Sequence, residues 1–291
     1  MIPRGTLGLN GLPSLPCGPL LTLFRPQQLR ALSSTTPHQQ DAAARVAKLD
    51  PRWLSDTKSR LGKCILFGMD QAQTTRAGML LADVSLNWRT LLAGSEGFPT
   101  DPRRTGISSA PIDWGSQDAM GHVNNVQYVR YAESSRTNWT RQIGEHFDRE
   151  HKRQWSELLS SKSIGLILRS IKVDYKFPMT WPDRISVYHK LRSMPTETDS
   201  SMLLDVMILS EGKERVAARC EEDVVVYNYK AGKKSALPDY MLTQFRHQFE
   251  EQEEAKRLNS QKVSKILEEV ERLEKETWDR VDAKEDLGSA T

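Results

Sequence analysis

The sequence predicts an α+β fold in which an antiparallel sheet wraps one long helix, and three observations carry that prediction. A helix-period run extends from about Asn124 to Gln142. A period-two ladder follows it, with Ile167, Arg169, Ile171, Val173, Tyr175 and Phe177 on one side and Ser170, Lys172, Asp174 and Lys176 on the other. Glu211-Gly212-Lys213 then reads as a tight hairpin turn between two further strand-like runs. One strand, one helix and a train of consecutive strands is an α+β order, distinct from alternating parallel units.

Taken in order, the first 40 residues contain Arg4, Arg25 and Arg30 but no Asp or Glu. That composition resembles a mitochondrial presequence, and Arg30-Ala31-Leu32-Ser33 resembles a matrix-protease cleavage context. A mitochondrial matrix location is the expectation; a disordered tail with no address is the alternative. Removing residues 1–32 takes away three of the 41 basic residues and none of the 38 acidic ones, leaving 38 against 38. Such a balance exerts no general pull on nucleic acid. Residues 41–104 read as a helical extension. Its first helix spans about 41–65, with Pro51 suited to a first turn, and its second runs from Asp70, where Gln73 completes a capping box, to about Gly94. Leu80, Leu81, Val84, Trp88, Leu91 and Leu92 give the second helix an apolar face, which either covers the following domain or docks a partner.

The domain proper is expected over residues 105–240. Gly106 to Trp114 reads as its first strand, Gly144 as the stop of the long helix, and Arg149 to Leu159 as a short second helix. Strands fit Arg184 to Arg192, Met202 to Leu209 and Arg215 to Tyr229. Residues 241–291 read as a charged helix and tail, in which Val263, Ile266, Val270 and Leu273 keep a 3-4-3 spacing. That stripe suits intermittent packing on the chain's own domain, with a short coiled-coil contact as the alternative. Cys17, Cys64 and Cys220 show neither disulfide nor metal spacing, and no metal site is expected. No apolar run reaches the roughly 18 residues that a membrane span requires.

Residues 113–136 carry the chemistry. Asp118 precedes a glycine turn at Gly121, a polar cluster of His122, Asn124 and Asn125, and then the long helix. Unpaired N–H groups in a helix's first turn can hold a developing oxyanion while a nearby carboxylate activates the attacking group, which suits acyl transfer. The run Asp118, Gly121, His122, Val123, Asn124, Asn125 and Tyr128, continued by Tyr131, Glu133 and Arg136, resembles the signature of hotdog-fold thioesterases of the 4-hydroxybenzoyl-CoA thioesterase-like kind. The resemblance extends loosely from Ile107 to Pro238. With the Gly94-Ser95-Glu96-Gly97-Phe98 approach and both helical extensions, it is nearest to fungal mitochondrial thioesterase-like proteins.

That resemblance implies a single hotdog domain hydrolysing an acyl-CoA or acyl-ACP ester without a cofactor. It also implies a homodimer or homotetramer, because single-hotdog enzymes assemble their sites across a two-fold interface. Asp118 would act as general base or nucleophile, with local capping of its turn as the structural alternative. Asn124 is counted with Asp118 and His122 among the catalytic residues, and the backbone N–H groups near Asn124, Asn125 and Val126 would form the oxyanion hole, while the asparagine side chains can equally serve as caps. His122 either supports catalysis or braces the loop. It resembles an active-site histidine of plant acyl-carrier-protein thioesterases, but Met120 stands where those carry an asparagine. Glu133 would support the site or pair with Arg136 on the helix surface. Tyr128, Tyr131 and Trp139 suit the core or an interface. The absence of a Gly-x-Ser-x-Gly elbow argues against a serine α/β-hydrolase. A non-catalytic hotdog subunit or assembly factor of a mitochondrial complex is the rival reading, motivated by the length of chain outside the domain.

Overall fold

Five main strands pair entirely antiparallel: β1 (Ile107–Pro111), β2 (Ile164–Tyr175), β3 (Arg184–Leu191), β4 (Ser201–Ser210) and β5 (Arg215–Asn228), in the spatial order β1-β3-β4-β5-β2. A two-residue strand, β6 (Lys233–Lys234), adds to β5. The structure, a computed structural model, describes residues 49–50 and 52–285. The expected presequence, the 41–48 part of the first helix and Pro51 lie outside the described residues.

The helix α3 (Asn125–Gln142) lies along one face of the sheet, where Tyr128 and Ala132 pack with Val187, Val206, Ile208, Ala218 and Cys220. Alternation along each strand sends the neighbouring side chains to the opposite face. There Tyr188, Met207 and Leu209 are covered by α1 (Trp53–Leu66), α2 (Gln71–Arg89) and the far half of α5 (Asp239–Thr277). A curled antiparallel sheet around one helix is the hotdog fold, and the chain is α+β.

The flanking helices form where their local signals place them. Asp70 caps α2, its Oδ1 accepting from Gln73 N at 2.8 Å while Gln73 Oε1 accepts from Asp70 N at 2.9 Å. Val84 and Trp88, with Leu91 and Leu92 in the wide turn Thr90–Gly94 that follows the helix, are buried in one cluster with Tyr188, Met207 and Leu209, so this apolar face covers the sheet. At 39 residues α5 is about 58 Å long. Its start packs Met241, Leu242 and Phe245 against Trp139 of α3 and Trp155 of α4 (Lys152–Glu157). Further along, the Val263, Ile266, Val270 and Leu273 stripe is buried against α1 and α2. Between the two, the Gln252 side chain pairs with both backbone groups of Leu191, at 3.0 Å each, where β3 runs beyond its pairing with β1.

Three expectations are corrected. Gly144 does not stop α3, because the chain continues through a wide turn, Ile143–Phe147, and a Cβ at Gly144 would sit 2.8 Å from the Trp155 Cβ. The glycine is there for close approach. The ladder over 167–177 is not one continuous face: the register shifts between Leu168 and Ser170, so Leu166 and Leu168 face the core before the bulge and Ile171 and Val173 after it. Arg169 sits at the bulge and pairs outward with Asp223. Finally, Arg136 is buried and forms an ion pair with Glu222 on β5, leaving Glu133 exposed without it.

Candidate active site

From β1 the chain passes through Ile112, whose N–H donates to the Asp183 carbonyl at 2.9 Å, and a single 3₁₀ turn at Trp114–Ser116. It then folds back on itself. Gln117 and Val123 form an antiparallel bridge, Asp118 N donates to the His122 carbonyl at 2.8 Å, and Gly121 N donates to the Asp118 carbonyl at 3.0 Å. Closing so tight a loop requires a left-handed residue, and Gly121 supplies it at φ 74°. Val123 N donates to Met179 O at 2.8 Å and Asn124 N to Ser116 O at 2.9 Å, so the loop is tied to the domain before the helix begins.

Asp118 is exposed. Its Oδ1 accepts the Met120 N–H at 2.8 Å, the local turn bond that a purely structural aspartate would make. The other carboxylate oxygen accepts no hydrogen bond among the described residues, so one oxygen is fixed and one is available. Asn124 is the helix cap, its Oδ1 accepting from Val126 N at 2.9 Å. The Val126 N–H is thus already engaged, whereas no acceptor among the described residues takes the Asn125 N–H. His122 is half-buried, and its carbonyl rather than its ring holds the loop. The Glu133 side chain is exposed and makes no hydrogen bond among the described residues.

Apolar surface surrounds this loop. Trp114, Met120 and Val126 are 73%, 79% and 64% exposed, which is far from their usual burial, and Trp181 and Tyr175 are also exposed. The Tyr175 hydroxyl donates to the Asn125 carbonyl at 3.1 Å, and its ring meets Tyr128 edge-on. Trp181 N donates to Gln117 Oε1 at 3.2 Å, and Gln117 Nε2 to Gly121 O at 2.7 Å. Gln117 and Trp181 are not singled out by the sequence and Tyr175 reads there only as part of the ladder, because Tyr175 and Trp181 come from the end of β2 and the turn beyond it. Tyr128 and Trp139 are core residues, and burial raises the Tyr128 hydroxyl above its ordinary range.

A second polar cluster lies within the domain. Arg136 meets Glu222, His189 Nε2 stands 3.5 Å from the other Glu222 oxygen, and Ser135 Oγ lies 3.2 Å from His189 Nδ1. Burial pushes the Glu222 carboxyl up, but the His189 ring and the Arg136 guanidinium outweigh it and hold the group below the usual carboxylate range. With His189 and Glu222 almost wholly enclosed, this cluster joins α3 to the sheet and offers no path to a substrate.

The family model of the Thioesterase-like superfamily matches residues 112–245, from the loop just described to the first turns of α5. Among solved structures, the chain is similar to a thioesterase complexed with coenzyme A and Zn from Thermus thermophilus, at 20% identity over 50% of this chain and 96% of that one, with a TM-score of 0.38. It is also similar to a DHNA-CoA thioesterase from Staphylococcus aureus, at 16% identity over 53% of this chain and 92% of that one, again with a TM-score of 0.38. No curated protein matches the chain.

Proposed function

We propose that the protein is an acyl-thioester hydrolase acting on a coenzyme A or carrier-protein ester, with Asp118 as general base or nucleophile. The observation that carries this reading is the Asp118 carboxylate, exposed, pinned by one oxygen and free at the other, on the loop that leads into α3. The superfamily match over residues 112–245 supports the thioester as the reacting group. As base, Asp118 takes a proton from water as the water attacks the carbonyl carbon, and the thiolate leaves. As nucleophile, it displaces the thiolate to form a mixed anhydride, which water then opens to the free acid and the regenerated carboxylate. In both routes the negative charge on the carbonyl oxygen needs a donor, and the Asn125 N–H at the helix start is suited to it. Val126 N–H joins only if the Asn124 side chain turns away. His122 and Glu133 then have supporting roles at most, since neither side chain is hydrogen-bonded to the Asp118 carboxylate among the described residues.

The exposed Trp114, Met120, Val126 and Trp181 would be covered by a second copy of the chain, making the working form a homodimer with its cleft at this face. Delivery to the mitochondrial matrix belongs to the same proposal, on the strength of the acid-free first 40 residues. The rival reading, a non-catalytic subunit, draws on the helices that cover the outer face of the sheet. Free-thiol release from a panel of acyl-coenzyme A esters separates the two. Turnover well above spontaneous hydrolysis on at least one ester supports the enzyme; background rates across short, long and aromatic acyl groups would leave the subunit.

A further inference from the structure

On the sheet face opposite α3, a cavity of about 260 Å³ is lined by Glu96, Phe98, Lys190, Arg192, Asp205 and Arg219, among others. Lys190 is its central group. Its Nζ donates to the Glu96 carbonyl at 2.6 Å and lies 4.8 Å from the centre of the Phe98 ring. The side chains around it are occupied with one another: Arg219 holds the Glu96 carboxylate at 2.6 and 2.7 Å, and Arg192 holds Asp205 at 2.8 Å and Glu221 at 3.2 Å. No carboxylate is therefore bonded to the amine itself.

We propose that Lys190 is a site of covalent acylation, accepting the acyl group of a small acyl thioester that enters this cavity. The neutral amine attacks the thioester carbonyl carbon, the C–N bond forms as the C–S bond breaks, the thiolate departs, and the proton lost from nitrogen ends on the thiol. The products are an amide on Lys190 and a free thiol, with no other reactant. A neutral amine can keep one N–H on the Glu96 carbonyl and still present its lone pair. Desolvation lowers the Lys190 pKa, and Lys256 on α5 and Arg219 on β5 push the same way, against Asp205 on β4 and Glu96 before β1. A lysine desolvated beside other cations is the activated form of this nucleophile.

The test is peptide mass spectrometry after timed incubation of the whole protein with acetyl-coenzyme A. Lys190 is expected to gain acetyl several-fold faster than the exposed Lys230 and Lys233. That lead is largest below the ordinary lysine range of about 10.4 and fades above it, where every amine is free. Unfolding in urea removes the lead. Asp118→Asn leaves Lys190 labelling intact, so loss of thioester hydrolysis and loss of acylation are separate outcomes. Labelling of Lys190 no faster than Lys230 or Lys233 in the folded protein, or a lead that persists in urea, would overturn the proposal.

Discussion

Arg136 and Glu222 show how costly a single buried charge can be in this molecule. They meet in the interior between α3 and β5, and removing either leaves its partner charged and enclosed. Arg136→Ala is therefore expected to destabilise the fold by about 3–5 kcal/mol, the usual cost of breaking a buried pair, as read by urea denaturation. The same pair predicts a pH dependence. Because the folded-state pKa of Glu222 is depressed, its stabilising contribution is complete above the unfolded value of about 4.3 and is lost as the pH falls through the folded value below it. Melting temperature should drop on acidification below that point, and the drop should be shallower in Glu222→Gln. Burial also pushes the Cys220 thiol up to about 12. Native protein should therefore leave Cys220 unalkylated by iodoacetamide at neutral pH, while urea exposes it. Neither the ion pair nor the His189 contact was legible in the sequence. Arg136 and Glu222 lie 86 residues apart, and the nearer acid, Glu133, offers a local pairing that the fold does not use.

Among the elements, those built from local signals were readable and those built from distant contacts were not. The Asp70–Gln73 capping box and the Val263–Leu273 stripe follow rules that span three or four residues, and both appear as expected. The bulge at Arg169 defeats a period-two reading because one extra residue exchanges the two faces of β2. Gln252 is a further case. On sequence it is one polar residue in a charged helix, yet it closes the free edge of β3 at Leu191. Gln252→Ala leaves a buried N–H and a buried C=O without partners and should cost about 1–3 kcal/mol for the group left worst satisfied. Hydrogen exchange should locate that loss at Leu191, while a surface change such as Glu253→Ala should leave the same amide protected.

For the whole molecule, the two faces of the sheet carry different burdens. On the face away from α3, the apolar side chains Tyr188, Met207 and Leu209 are covered by α1, α2 and the end of α5 within the same chain. Around the loop that carries Asp118, by contrast, large apolar side chains stand in solvent. Sedimentation of the full chain should show a dimer that dissociates on dilution, and replacing Trp114 and Met120 by Ser should shift it toward monomer without lowering the melting temperature of the fold. The sequence signalled the loop, the cap and the helix, since these are contiguous. The sequence did not signal that Trp114, Met120 and Val126 would stand exposed together with Tyr175 and Trp181, because that surface exists only once the end of β2 and the following turn come up beside the loop.

The central claim is that the free oxygen of Asp118 does the chemistry, and its direct test is the rate of thiol release by Asp118→Asn beside the wild type on the best acyl thioester found. Asparagine keeps an oxygen to accept the Met120 N–H, so the loop and the melting temperature should be preserved while kcat falls about 10²–10⁴-fold. A variant that folds normally and turns over at the wild-type rate would contradict the account.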